Sequence, residues 1–151
     1  MCIKNALIVL SLLLSLTVNS QIKIIDVGDG WKSKIEQAIK VIEKYDSPKY
    51  SVLIKECKQI DFGLISYSTN DGKNTIILPV EVLQRGCIND IAACLVHESL
   101  HLRLTKLTKV HDDTEEVVCY KWELDFLRHI PNVENWLISN AKYQISVYSK
   151  K

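Results

Sequence analysis

His97-Glu98-Ser99-Leu100-His101 sets two imidazoles four residues apart, with a carboxylate directly after the first. On a helix, residues four apart project from one face, about 40° apart at 100° per residue. Two imidazoles placed this way can both reach one zinc ion at about 2.0–2.1 Å. Glu98 lies about 100° further round, too far to share the metal easily but within reach of a water on it. Zinc lowers the pKa of such a water toward about 7, and a nearby carboxylate can take its proton as it attacks a carbonyl. The spacing therefore predicts a hydrolytic site with His97 and His101 as metal ligands and Glu98 as base. The donor types leave Mn and Co open beside Zn.

A catalytic zinc takes a third protein ligand. The metzincin pattern would put a glycine and a histidine at positions 104 and 107; both are leucine, which excludes that branch. His111 lies in a polar connection ten residues on. The next helical stretch offers Glu115, Glu116 and Glu123. With Glu116 at 0°, Tyr120, Leu124 and Leu127 fall within about 80° of it, while Lys121, Asp125 and Arg128 fall on the opposite side. Glu116 and Glu123 are thus expected to face the core, with Glu115 to one side. Glu116 ranks first because it is near the helix start, across a short connection from His101. Glu123 ranks second and Glu115 third. A glutamate not used on the metal is expected to steer a ligand imidazole.

These residues need a rigid frame. Trp31 to Lys44 repeats Ile35, Ile39 and Ile42 on one face and lysines on the other, which predicts a helix. Asp46-Ser47-Pro48 breaks it, with Ser47 as cap and Pro48 in the first turn of a second helix reaching about Cys57. Ile60–Ser68 and Lys73–Leu78 read as strands joined at Asn70-Asp71-Gly72 into a hairpin. A long helix is expected from about Ile91 to Leu107, capped by Asn89 or Asp90. It is apolar nearly all round, hence buried, and buried His and Glu without partners would cost several kcal/mol. Another helix should follow from Asp113 or Thr114 to Ile130, and a last one from Asn132 to about Val147. The expected class is α+β: one helix-rich domain with a small antiparallel hairpin packed on the motif helix and the glutamate helix.

Residues 1–20 read as a signal peptide, with Lys4 before the apolar run Ala6–Val18 and an expected cut after Ser20. The run is shorter than the roughly 20 residues a membrane span needs. The expectation is export to the periplasm or the medium, with residues 21–151 forming the functional domain. Those residues carry no net charge with histidine neutral, and no basic stripe. Nucleic acid and membrane surfaces therefore lack an electrostatic handle. Four cysteines remain there, Cys57, Cys87, Cys94 and Cys119, with no CxxC spacing. In an oxidising compartment an even set invites disulfides; buried free thiols are the alternative.

H-E-S-L-H followed on the next helix by E-E-V-V-C-Y-K-W-E resembles a minimal gluzincin, the HExxH branch of zinc metallopeptidases whose third ligand is a downstream glutamate. The likeness covers roughly residues 57–130. It implies zinc on His97, His101 and Glu116, Glu98 as base, and a peptide substrate lying beside an edge strand, which would be Lys73–Leu78. Larger gluzincins supply a Tyr or His from a C-terminal subdomain to stabilise the oxyanion; here only Tyr143 and Tyr148 are available as substitutes. Cys94 shares the His97 stripe and Cys119 the Glu116 stripe, which suggests a Cys94–Cys119 bridge, leaving Cys57 with Cys87. The alternative function is an exported, zinc-stabilised binding module without catalysis. A metal-free helical interaction protein is a third possibility.

Overall fold

The structure is a computed structural model and describes residues 22–25, 30–69, 72–108 and 112–150. The signal-peptide expectation for residues 1–20, the Asn70-Asp71 turn and His111 lie outside the described residues. The described chain is α+β, with six helices around a small mixed sheet.

Helix α1 (Trp31–Tyr45) buries Trp31, Ile35, Ala38 and Ile42, as its apolar spacing requires. Helix α2 (Ser47–Glu56) follows at once. Its cap is Asp46, whose carboxylate accepts from the Lys49 N–H at 3.1 Å, rather than Ser47. Ser47 is already the first residue of the helix, which leaves Asp46 at the capping position.

The sheet departs from the simple hairpin. Strands β1 (Lys23–Ile24), β2 (Gln59–Gly63), β3 (Tyr67–Thr69) and β4 (Thr75–Pro79) lie in the order β1-β2-β4-β3. The expected Ile60–Ser68 strand is two strands, broken at Leu64–Ser66. β3 pairs antiparallel with β4, which is the hairpin, whereas β2 pairs with β4 in parallel. β4 is therefore interior, with Thr75 to Leu78 all buried, and the expected edge strand is not at the edge. That place belongs to β3, which has no further strand beside it among the described residues. Gly63 marks the break: a Cβ there would come within 2.8 Å of the Ile77 side chain, so glycine permits the close approach of β2 to β4.

A short helix α3 (Val80–Arg85) leads into α4 (Ile88–Thr108). Ile91, Ala92, Leu95, Val96 and Leu102 of α4 are almost wholly inaccessible, so this helix forms the spine of the core. α1 and α2 pack on α4, and so do β3 and β4 of the sheet. Helix α5 (Asp113–His129) is capped by Asp112, which accepts from the Glu115 N–H at 2.9 Å. It lies between α4 and α6 (Asn135–Tyr148). His101 meets Glu115 and His97 meets Glu123, so α4 and α5 run antiparallel.

Candidate metal centre

His97, Glu98 and His101 sit in the middle of α4 and are 7%, 5% and 4% exposed. The two imidazoles face each other, Nε2 to Nε2, at 3.1 Å. Each remote nitrogen is held by a carboxylate. His97 Nδ1 lies 3.1 Å from Glu123 Oε2, and His101 Nδ1 lies 2.7 Å from Glu115 Oε1. An ionised carboxylate can only accept, so each Nδ1 carries the hydrogen and each Nε2 of a neutral ring presents a lone pair.

Glu116 completes the group. Its Oε2 is 3.5 Å from His97 Nε2 and its Oε1 is 3.3 Å from His101 Nε2. Two imidazole lone pairs and a carboxylate therefore converge on one point. Such a cluster of acceptors needs a cation between them, either a proton or a metal ion. A tetrahedral centre with bonds of about 2.0–2.1 Å has ligand-to-ligand edges of about 3.3–3.4 Å. The imidazole separation of 3.1 Å and the two Glu116 contacts, at 3.3 and 3.5 Å through different oxygens, lie near that value, so these donor types and spacings suit a zinc ion.

The ionisation of the group follows the same contacts. For His97, burial alone would lower the pKa. Hydrogen bonds to Glu116 and Glu123, with the charges of Glu123 and Glu98, outweigh it and raise the value to about 9. His101 is raised too, against burial, by Glu116 and Glu115. Hydrogen bonds from His101 and His97 hold the Glu116 carboxyl far below the usual carboxylate range. Burial pushes Glu98 above that range, partly offset by the His97 charge and by Ser66, whose hydroxyl donates to Glu98 Oε1 at 2.6 Å. A carboxylate raised in this way is the stronger proton acceptor.

The sequence-derived candidates divide clearly. His97, His101 and Glu116 come together, and His97, Glu116 and Glu98 line one cavity. Glu123 and Glu115 both hold imidazoles. Glu115, expected to one side, is instead buried at 7%, because His101 draws it in. Tyr143 is 64% exposed and does not line the cavity, whereas Tyr148 does. Tyr148 stacks on Tyr120, whose ring lies edge-on to His97 at 4.3 Å between centroids.

The expected Cys94–Cys119 and Cys57–Cys87 bridges are absent, and all four thiols are free. Cys94 lines the cavity, while the buried Cys119 Sγ lies within 4.8 Å of a ring nitrogen of each imidazole. Cys57 donates to the Gln59 carbonyl at 3.2 Å, and Cys87 lies beside Glu134. Sequence reasoning missed Ser66, Asp90 and Asn140, which also line the roughly 240 Å³ cavity. Ser66 and Asn140 come from other elements, whose position depends on the tertiary fold, whereas Asp90 lies on α4 seven residues before His97, on the same stripe, where helical spacing did carry a signal.

No family model, no curated protein and no solved structure matches the chain. Among the described residues no helix is long and apolar enough to cross a membrane.

Proposed function

We propose that this chain is a zinc-dependent hydrolase of peptide bonds, with His97, His101 and Glu116 as the metal's protein ligands and Glu98 as the base. The observation that carries this reading is that the two imidazole Nε2 atoms lie 3.1 Å apart with one Glu116 oxygen 3.5 Å from His97 and the other 3.3 Å from His101, while both remote imidazole nitrogens are tied to carboxylates. Zinc held there would supply Lewis acidity, polarising a substrate carbonyl and acidifying a water.

The protein's own residues do the rest. Glu98 takes the proton of the attacking water and can deliver it to the leaving amine. Ser66 fixes the Glu98 carboxylate in one orientation. Glu115 and Glu123 hold each imidazole in the tautomer that leaves Nε2 free, and they raise its basicity. Tyr148, at the cavity wall, is the candidate donor to an oxyanion. An extended substrate could lie beside β3, the strand that follows Ser66 and has no further strand next to it among the described residues.

One observation favours a second reading, a closed zinc site that only stabilises a binding module. Cys119 Sγ and one ring nitrogen each of His97 and His101 all lie within 4.8 Å of one another. Structural sites fill four positions and favour cysteine. Glu116 is preferred as the third ligand because its oxygens already stand at the required edge lengths.

One experiment tests both readings. Wild type is expected to hold about one zinc per chain. Glu98→Gln should keep the metal and lose at least about 10²-fold in peptide hydrolysis. Glu116→Gln should lose metal and activity together. The cobalt-loaded wild type should lack a thiolate charge-transfer band in the near ultraviolet. A strong band abolished by Cys119→Ser, with no hydrolysis, would establish the closed site instead.

A further inference from the structure

The pair of imidazoles has two neighbours on α5 that can complete a metal site. Glu116 belongs to the cavity wall, and its side chain is 29% exposed. Cys119 follows it by one helical turn, is wholly inaccessible, and is not among the residues that line that cavity. Its Sγ and one ring nitrogen each of His97 and His101 lie within 4.8 Å of one another. The two histidines therefore share two alternative third donors, a hard one on the cavity and a soft one in the core.

Donors of opposite character sort cations. Imidazole takes zinc and copper alike, carboxylate oxygen suits hard and borderline ions, and thiolate sulfur selects soft ones such as Cu+. Zinc finds the Glu116 oxygens 3.3 and 3.5 Å from the imidazole Nε2 atoms. Bonds from metal to sulfur are longer, about 2.3 Å against about 2.0–2.1 Å to nitrogen, so a sulfur donor serves from further off.

We infer that Cys119, with His97 and His101, forms a second metal position that takes the soft cation Cu+, excludes zinc and so switches off the proposed hydrolytic site. The inference rests on the zinc reading above, because both positions use the same two imidazoles. The exchange is one of ligands only. Zinc gives up two nitrogens and the Glu116 oxygen and leaves as the aqueous ion. Copper gains two nitrogens and the Cys119 sulfur, the thiol proton goes to solvent, and no oxidation state changes. Release of Glu116 costs little, since a carboxylate on the cavity wall regains water. A soft monovalent ion polarises water and carbonyls less than Zn2+ does, so hydrolysis stops with the exchange.

Zinc-loaded protein is titrated with Cu+, supplied as its acetonitrile complex under nitrogen. Released zinc, ultraviolet absorption and peptide hydrolysis are followed together. Cu+ should release about one zinc per chain, raise a thiolate-to-copper absorption band and end hydrolysis. Cys119→Ser and Cys119→Ala should still load about one zinc per chain. They should show no band and release zinc to Cu+ at least about tenfold less readily. Cys94→Ser, which removes the thiol on the cavity wall, should give the wild-type band.

The failures are separable. A wild type without the band, or a band that survives in both Cys119 variants, overturns the copper position and leaves the zinc hydrolase standing. So does a band abolished by Cys94→Ser alone. A Cys119-dependent band in a wild type that never takes up zinc overturns the hydrolase and leaves a sulfur-ligated copper site. Loss of zinc from both Cys119 variants overturns both, because Cys119 would then be a zinc ligand.

Discussion

Glu115 and Glu123 hold the two imidazoles of the proposed metal site without belonging to its ligand set. Each accepts from one Nδ1, at 2.7 and 3.1 Å, and so fixes which nitrogen of the ring is left for the centre. Replacing either by glutamine keeps the shape but puts a neutral amide where a carboxylate raised the ring's basicity. Glu123→Gln and Glu115→Gln should each weaken zinc affinity by about 10–100-fold without removing the site, measured by competition with a chelating dye. Unchanged affinity in both would mean that the carboxylates merely fill space. The candidate site residues were the most legible part of the chain: H-E-x-x-H was visible as spacing, and nearness to the helix start put Glu116 first among the glutamates, where its oxygens lie 3.5 and 3.3 Å from the two imidazoles. Periodicity misplaced Glu115, since an angle on an isolated helix omits the pull of a partner on the next one. It also brought Cys94 and Cys119 to the centre without forming a bond, because sharing a stripe fixes a face and not a direction.

The five longer helices were readable to within a few residues at most ends from their apolar spacing and break signals, whereas the short α3 was not anticipated. The sheet was not. One β-rich run from Ile60 to Ser68 looked continuous, yet its halves pair with opposite directions along β4. Nothing local distinguishes a strand that pairs parallel from one that pairs antiparallel; Gly63 was the only sign of the break. A clasp between helices was equally hidden. Lys49 of α2, buried at 3%, lies 2.7 Å from both Asp46 and Asp125 of α5, with its ammonium 4.3 Å from the centre of the Trp122 ring. His129 Nδ1 reaches Asp46 as well, at 2.9 Å. The ion pairs tie the α1–α2 corner to the far face of the glutamate helix. Removing the cation leaves the buried Asp46 carboxylate with less compensation. Lys49→Met should therefore lower the urea midpoint, by an equivalent of about 3 kcal/mol. A midpoint within experimental error of wild type would show that the corner is held by apolar packing alone.

For the whole molecule, the proposed zinc centre would link folding to protons and to metal. Without metal, the native chain holds the His97 proton more tightly than the unfolded chain, because the pKa rises from 6.5 to about 9; His101 shifts the same way. A raised native pKa contributes stability that is complete below about 6.5 and fades as pH climbs through about 9. A metal ion has to displace that proton, so its binding strengthens over the same interval and returns stability to the fold. Chelator-treated protein should thus lose thermal stability between about pH 6 and about pH 9. Over that range the gap between zinc-loaded and chelator-treated melting temperatures should widen. Both curves come from calorimetry at fixed zinc and ionic strength. His97→Ala should flatten the metal-free curve and close the gap. If the gap stays constant or narrows with rising pH, the proton and the metal do not compete for this histidine pair, and the ligand assignment fails with it.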